Sequence, residues 1–227
     1  YTPGDMKFVD VNGDGVIDDN DRTFIGNPNP DFYYGFNINM EYKGFDLSMF
    51  FQGVAGNEIY DVTRYFRYSN VSYSGGWENL NYLSFSNVSE DYFDKVWRPV
   101  PDPANPSYRD HWGANLNGTV PLPSSDGTKN EMNFRNSDFY VQDGSYLRLK
   151  NIQLGYTFPK KWVNKLSVSN LRVYASATNL FTITSYDGLD PEVGKTSGQE
   201  SNNLYLGIDQ GVYPQARSYM FGVIIDF

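Results

Sequence analysis

The chain has 227 residues, a net charge of −9 at pH 7 and no cysteine. No cysteine means no disulfide framework and no thiolate metal site, and the acidity argues against a nucleic acid partner, whose phosphates call for a basic surface. The single histidine, His111, excludes a multi-histidine metal centre. No stretch approaches the roughly 18 apolar residues of a transmembrane helix, which says nothing of membrane strands, because those are short and alternate. Aromatic residues make up 17% of the chain, as suits a β-rich soluble domain, a barrel with aromatic girdles or a saccharide-binding surface. The chain starts at Tyr1 without an initiator Met or a secretory leader, the expectation for a processed or excised piece.

The first element in chain order is residues 10–21, DVNGDGVIDDND. Oxygen-bearing side chains fall at the ligand positions of a twelve-residue calcium loop, with Gly15 at the sharp turn. The spacing predicts one structural Ca2+ held by Asp10, Asn12, Asp14, the Val16 carbonyl, Asp18 and Asp21. Pro3-Gly4 before the loop and Gly26, Pro28 and Pro30 after it leave no room for flanking helices, so a paired sensor is not expected. The same residues also make an Asx-rich turn, held by side-chain-to-backbone bonds without metal.

Five runs of strict alternation follow. In 33–42 the apolar set is Tyr34, Phe36, Ile38, Met40 and Tyr42; in 45–51 it is Phe45, Leu47, Met49 and Phe51. Only Lys43-Gly44 separates them, which predicts a tight hairpin. The third run, 139–158, changes parity: Leu147 and Leu149 share one face, then Ile152, Leu154, Tyr156 and Phe158 take over, which predicts a β-bulge near Asn151. The fourth is 171–179. In the fifth, 217–227, Tyr219, Phe221, Val223, Ile225 and Phe227 alternate with polar or small residues, apart from Ile224. Arg148, Lys150, Arg172 and Glu41 fall on the polar faces.

Between the runs, short connections (43–44 and 159–170) alternate with long ones (53–138 and 180–216). Compact soluble domains rarely hold structureless loops of such length, whereas outer-membrane barrels have short periplasmic turns and long outer loops. The alternation alone favours a soluble, calcium-stabilised β-sandwich that binds carbohydrate, because soluble β domains are commoner. Loop asymmetry, aromatic strand ends and the terminal Phe227 favour the barrel. In 53–138, Trp77, Trp97 and Trp112 are candidates to stack on a substrate; the other role for such aromatics is a small core of the loop's own. His111 with Asp110 and Ser107 carries no nucleophile signature, and no carboxylate pair stands out by spacing, so the chain is read as a non-enzyme.

The ordered stretches GDMKFVDVNGDGVIDDNDRTFIGNPNPDFYYGF, VQDGSYLRLKNIQLGYTFPK, ATNLFTITSYDGLDPEV and YMFGVIIDF together resemble the C-terminal part of SusC/RagA-type TonB-dependent transporters of Bacteroidetes. The resemblance implies an all-β fold: about five C-terminal strands of a large, about 22-stranded antiparallel transmembrane β-barrel. It divides the chain into an extracellular segment with the calcium-type loop (1–32) and barrel (33–227), with 53–138 and 180–216 as long extracellular loops. It implies the outer membrane of a Gram-negative bacterium, import of oligosaccharides or peptides, and a SusD-like surface lipoprotein as partner. TonB would be engaged through an N-terminal part that is not in this sequence. Five strands cannot close a barrel, so the remainder of the same barrel and the lipid bilayer are also expected partners.

Overall fold

The computed structural model describes residues 3–69, 71–72, 84–85, 90–104, 113–122, 133, 135–163, 168–193 and 206–227. In chain order the strands are β1 (Phe32–Tyr42), β2 (Phe45–Ala55), β3 (Glu58–Asp61), β4 (Val71–Ser72), β5 (Ser84–Phe85), β6 (Val141–Asp143), β7 (Tyr146–Thr157), β8 (Asn170–Thr178), β9 (Thr182–Thr184), β10 (Ile208–Asp209) and β11 (Ser218–Asp226). The chain divides into two units, Tyr1–Ile25 with Asp61–Val141, and Gly26–Tyr60 with Gln142–Phe227.

The second unit holds the long strands that alternation predicts. They form one antiparallel sheet in the order β1-β2-β7-β8-β11. The first hairpin turns on Lys43 (φ 48°) and Gly44 (φ 89°), the pair of left-handed residues that a two-residue turn between twisted strands requires. Register sets matching side chains beside one another. Tyr42, Phe45, Tyr156, Val173 and Val223 form one apolar row across all five strands, and Met40, Leu47, Leu154, Ala175 and Phe221 form the next. The opposite face carries Glu41, Asp46, Gly155, Tyr174 and Gly222 in one row and Asn39, Ser48, Gln153, Ser176 and Met220 in another.

The apolar face is open. Phe221 is 83% exposed, and Met40, Phe45, Leu154 and Val223 are also exposed. A β-sandwich would cover such a face with a second sheet, and among the described residues no sheet does so. Aromatic residues pair along the face, with Phe36 stacked on Phe51 at 4.6 Å and Phe45 against Tyr156 at 4.5 Å.

The bulge lies one residue from its predicted place. Phe50 pairs with Asn151 and Phe51 with Leu149, so Lys150 is the extra residue. It restores Leu149 to the apolar face and Arg148 to the polar one. Three boundaries differ from the alternation. β2 runs on to Ala55. The third run is not one strand: β6 leaves it to join β3 and β10 in a separate sheet. The fourth run bends at Asn179 (φ 51°) and resumes as β9, pairing with the first residues of β7.

The first unit contains helices Val62–Ser69 and Glu90–Lys95. Asp61 starts the first of these, accepting from the Arg64 N–H at 3.0 Å, as an N-cap carboxylate does. Tyr68, Tyr92, Val96 and Val120 make a small core with Leu122 and Phe139 packed on it. The Tyr68 hydroxyl donates to Asp91 at 2.7 Å, and Lys95 pairs with the same carboxylate. Tyr68 and Tyr92 of the longest connection thus belong to a core of its own.

Residues 182–192 are fastened to the polar face through Arg148. The bulge turns this side chain away from the apolar face and leaves it only 2% exposed. Its guanidinium donates to Asp190, to Glu192 at 2.9 Å and to the Thr182 hydroxyl at 2.8 Å, while Lys150 also reaches Glu192 at 2.8 Å. Asp190 accepts as well from the Gln215 and Glu192 N–H groups, both at 2.9 Å, which ties 206–227 to the same point. Burial pushes the Asp190 carboxyl up, but those N–H groups and Arg148 outweigh it and hold the carboxyl below its ordinary value of 3.8. A depressed carboxyl adds stability above its unfolded value, and loses it as pH falls through the folded value. Hydrogen-exchange protection of 182–192 in the intact receptor is therefore expected to be level from pH 7 to pH 5 and to fall only below about pH 4. Replacing Asp190 by Ala should cost about 3 kcal/mol of local stability, on the order of a hundredfold in protection, because Arg148 loses its buried partner. Unchanged protection in Asp190→Ala would show that this ion pair is not the anchor.

Candidate functional site

Three places are candidates for function: the polar face of the sheet, the acidic loop and the aromatic segment. On the polar face Asp46 of β2 and Arg172 of β8 reach over the intervening strand and meet in a two-pronged pair, at 3.1 and 2.6 Å. Gly155 of β7 makes the passage possible, since a Cβ there would sit 2.4 Å from one Asp46 oxygen and 2.5 Å from an Arg172 nitrogen. In the separate β10-β3-β6 sheet, Asp209 of β10 accepts from the Tyr186 hydroxyl at 2.6 Å and from the Gly211 and Val212 N–H groups. Asp190, Glu192, Asp209 and Tyr186 were not singled out by their residue pattern. Their side-chain partners lie 23 to 44 residues away, beyond any local spacing signal. Each of these carboxylates is satisfied by a cation, a hydroxyl or backbone N–H groups, and the acids Asp46, Asp190 and Glu192 make the polar face a hydrophilic wall whose charges are already engaged.

The acidic loop is folded on itself. Asp10 accepts from the Gly13 and Gly15 N–H groups at 2.6 and 2.7 Å, where φ values of 77° and 84° call for glycine. Asn12 accepts from Asp14 N–H, and Asp14 from Val16 N–H. Asp18 accepts from Asn20 N–H and caps the turn Asp19–Asp21. Asp21 closes the loop by accepting from Val11 and Asp18 N–H, both at 2.8 Å. The Asp18 N–H above all, with those of Val11 and Asn12, holds the Asp21 carboxyl below its ordinary value. These are the bonds of an Asx-rich turn. Among the described residues no three His, Cys, Asp or Glu side chains stand together in a metal-holding group. The residues fit calcium in kind, since every predicted ligand is a hard oxygen on one closed loop, and a carboxylate oxygen that accepts one N–H keeps a second lone pair.

Of the three tryptophans, Trp77 and Trp112 lie outside the described residues, as do His111, Asp110 and Ser107. Trp97 is half-buried. Gly4 lies against the six-membered ring of its indole, where a Cβ would come within 2.5 Å, and Gly118 lies against its backbone. The remaining surface borders a cleft of about 480 Å³ whose walls include Met6, Asp138 and Phe139. Part of the ring face that could stack on a substrate is thus covered by the chain's own residues.

Sequence comparison finds relatives along nearly the whole chain. TonB-dependent receptor P3 of Formosa agariphila is 33% identical over 226 residues, covering 99% of this chain and 19% of that receptor. TonB-dependent receptor SusC of Bacteroides thetaiotaomicron is 31% identical over 227 residues, covering 99% of this chain and 18% of SusC. The chain thus spans about a fifth of the length of the curated relatives it matches. No family model matches it. Among solved structures, the RagAB peptide importer in its closed-closed state aligns with a TM-score of 0.58 at 21% identity, over 86% of this chain and 17% of the importer chain. The open-open state aligns with a TM-score of 0.55 at 24% identity, over 88% and 17%. These two likenesses are likenesses of fold. With an open apolar face, a polar wall behind it and strands that follow one another antiparallel across the sheet, the chain is similar along nearly its whole length to a portion of TonB-dependent receptors such as SusC, and its fold is that of a portion of such a β-barrel.

Proposed function

We propose that the receptor to which this chain contributes is an outer-membrane importer of oligosaccharides or peptides, working with a SusD-like surface lipoprotein and powered by TonB through parts outside this chain. The observation that carries this reading is the placement of the connections. Lys43-Gly44 and 159–170 both leave one end of the sheet, where the Thr157 N–H donates to the Gly44 carbonyl at 2.8 Å. Every long connection leaves the other end. Barrels of the outer membrane keep short turns in the periplasm, so 1–32, 53–138 and 180–216 lie outside the cell. Relatives named as TonB-dependent receptors and a structural neighbour named a peptide importer support transport rather than catalysis.

In this orientation the polar face lines the lumen and the apolar face meets lipid. The outer segments 53–138 and 180–216 contact the lipoprotein and close a chamber over the lumen, in which Trp77, Trp97 and Trp112 offer stacking faces. The acidic loop takes one structural Ca2+ through Asp10, Asn12, Asp14, Val16, Asp18 and Asp21. The hard positive charge draws these oxygens inward and pins the segment before β1.

Two measurements test these roles. Deleting residues 105–112 from the full receptor, with barrel assembly confirmed by heat-dependent gel mobility, is expected to weaken lipoprotein association or uptake of oligosaccharide or peptide at least tenfold; wild-type levels of both would leave the segment without that role. Asp14→Ala is expected to abolish one equivalent of bound calcium and to speed protease cleavage within 1–32. If calcium content and cleavage match the parent, the loop is an Asx turn alone.

A further inference from the structure

At the short-turn end of the sheet, the apolar face finishes in a band of aromatic rings. Tyr42 stands beside Phe45 in register; Phe45 lies 4.5 Å from Tyr156, Tyr156 5.0 Å from Phe158, and Phe158 6.3 Å from Trp162. Trp162 is 57% exposed and Tyr42 69%. Three lysines frame this band. Lys43 sits in the hairpin with its ammonium 5.0 Å from the Tyr42 ring centroid. Lys160 and Lys161 are exposed on the single turn Lys160–Val163, directly after Phe158 and Pro159. Backbone bonds hold these pieces at one end: Thr157 N–H to the Gly44 carbonyl at 2.8 Å, Phe158 N–H to Leu171 at 2.9 Å, and Trp162 N–H to Pro159 at 2.9 Å.

None of the three lysines has an ion-pair partner among the described residues. The acids of this end are turned the other way. Glu41, Asp46 and Asp226 fall on the polar face, Asp46 is held by Arg172, and Asp226 accepts from Asn170. At the opposite end of the sheet the cations Arg148 and Lys150 are both engaged by carboxylates. Among the described residues the unpaired lysines of the sheet and its short turns therefore gather where its lipid-facing rows stop, and Arg217, just before β11, is a single exposed cation at the other end.

We propose that Lys43, Lys160 and Lys161, with the Tyr42–Trp162 band, form a docking surface for the phosphate of anionic phospholipid headgroups. Amphipathic rings settle at the depth where acyl chains give way to headgroups, and ammonium groups just beyond them meet the phosphate layer. Lysine suits a mobile phosphate, since it offers a hydrated point charge on a flexible stem rather than a fixed fork. Each such lysine near an anionic surface contributes on the order of fivefold in affinity. The choice of phospholipid rests on the orientation proposed above, which sets this end at the periplasmic leaflet.

The test uses the full receptor purified in detergent and incubated with equimolar phosphatidylglycerol and phosphatidylcholine, with retained lipid read by native mass spectrometry. Wild type is expected to prefer phosphatidylglycerol. The combined variant Lys43→Gln, Lys160→Gln, Lys161→Gln should lose that preference at least tenfold, and the corresponding triple Arg variant should keep it. Lys161→Gln alone, which leaves the hairpin untouched, should lose about fivefold and serves if the triple variant does not assemble. An unchanged lipid ratio in an assembled Gln variant overturns the site. Labelling of a cysteine at position 161 from outside intact cells would instead overturn the orientation, and does not enter the detergent measurement.

Discussion

Tyr42, Phe45, Tyr156, Val173 and Val223 stand side by side across five strands, and keeping such rows in register is the constraint from which the rest follows. A strand shifted by one residue would move its whole apolar set to the other face. In hydrocarbon each backbone N–H and C=O must find its partner in the next strand, so pairing and facing are fixed together. One face is then free to be wholly apolar and exposed, and the other to collect ionised groups. This also explains why the outer edges of β1 and β11 need further strands of the same barrel.

The departures from regular pairing serve the polar face. Lys150 adds one residue to β7, and the change of parity puts Arg148 where it can hold Asp190 and Glu192. Gly155 opens a passage for Asp46 and Arg172 to join across a strand. Gly222 serves similarly, because a Cβ there would meet the Tyr174 ring at 2.3 Å. The bulge is thus the means by which the ladder connects to its own loop, and the glycines make room for side chains that meet across its strands.

The long strands could be read from period-two alternation, since membrane and solvent faces demand opposite chemistry at successive positions. The Lys43-Gly44 hairpin and the parity change near Asn151 were legible for the same reason. Asn179 hid the continuation of β8 into β9, because a left-handed residue interrupts the pattern while pairing resumes beyond it. The helices Val62–Ser69 and Glu90–Lys95 were missed because burial of Tyr68 and Tyr92 against Val96 and Val120 supports them, and that support comes from distant sequence. The acidic loop was legible as a loop, yet the same Asx residues serve a turn and a calcium site, and spacing alone does not separate the two.

The facing of alternate residues is tested most directly on β11. Single cysteines at positions 219 to 225 of the reconstituted full receptor, each carrying a fluorophore, can be probed with acyl-chain-brominated phospholipid and with iodide. Quenching by bromine should be strong at 219, 221, 223 and 225 and weak at 220, 222 and 224, with iodide showing the reverse. Uniform quenching along the strand, or a period other than two, would contradict a strand with one face in lipid.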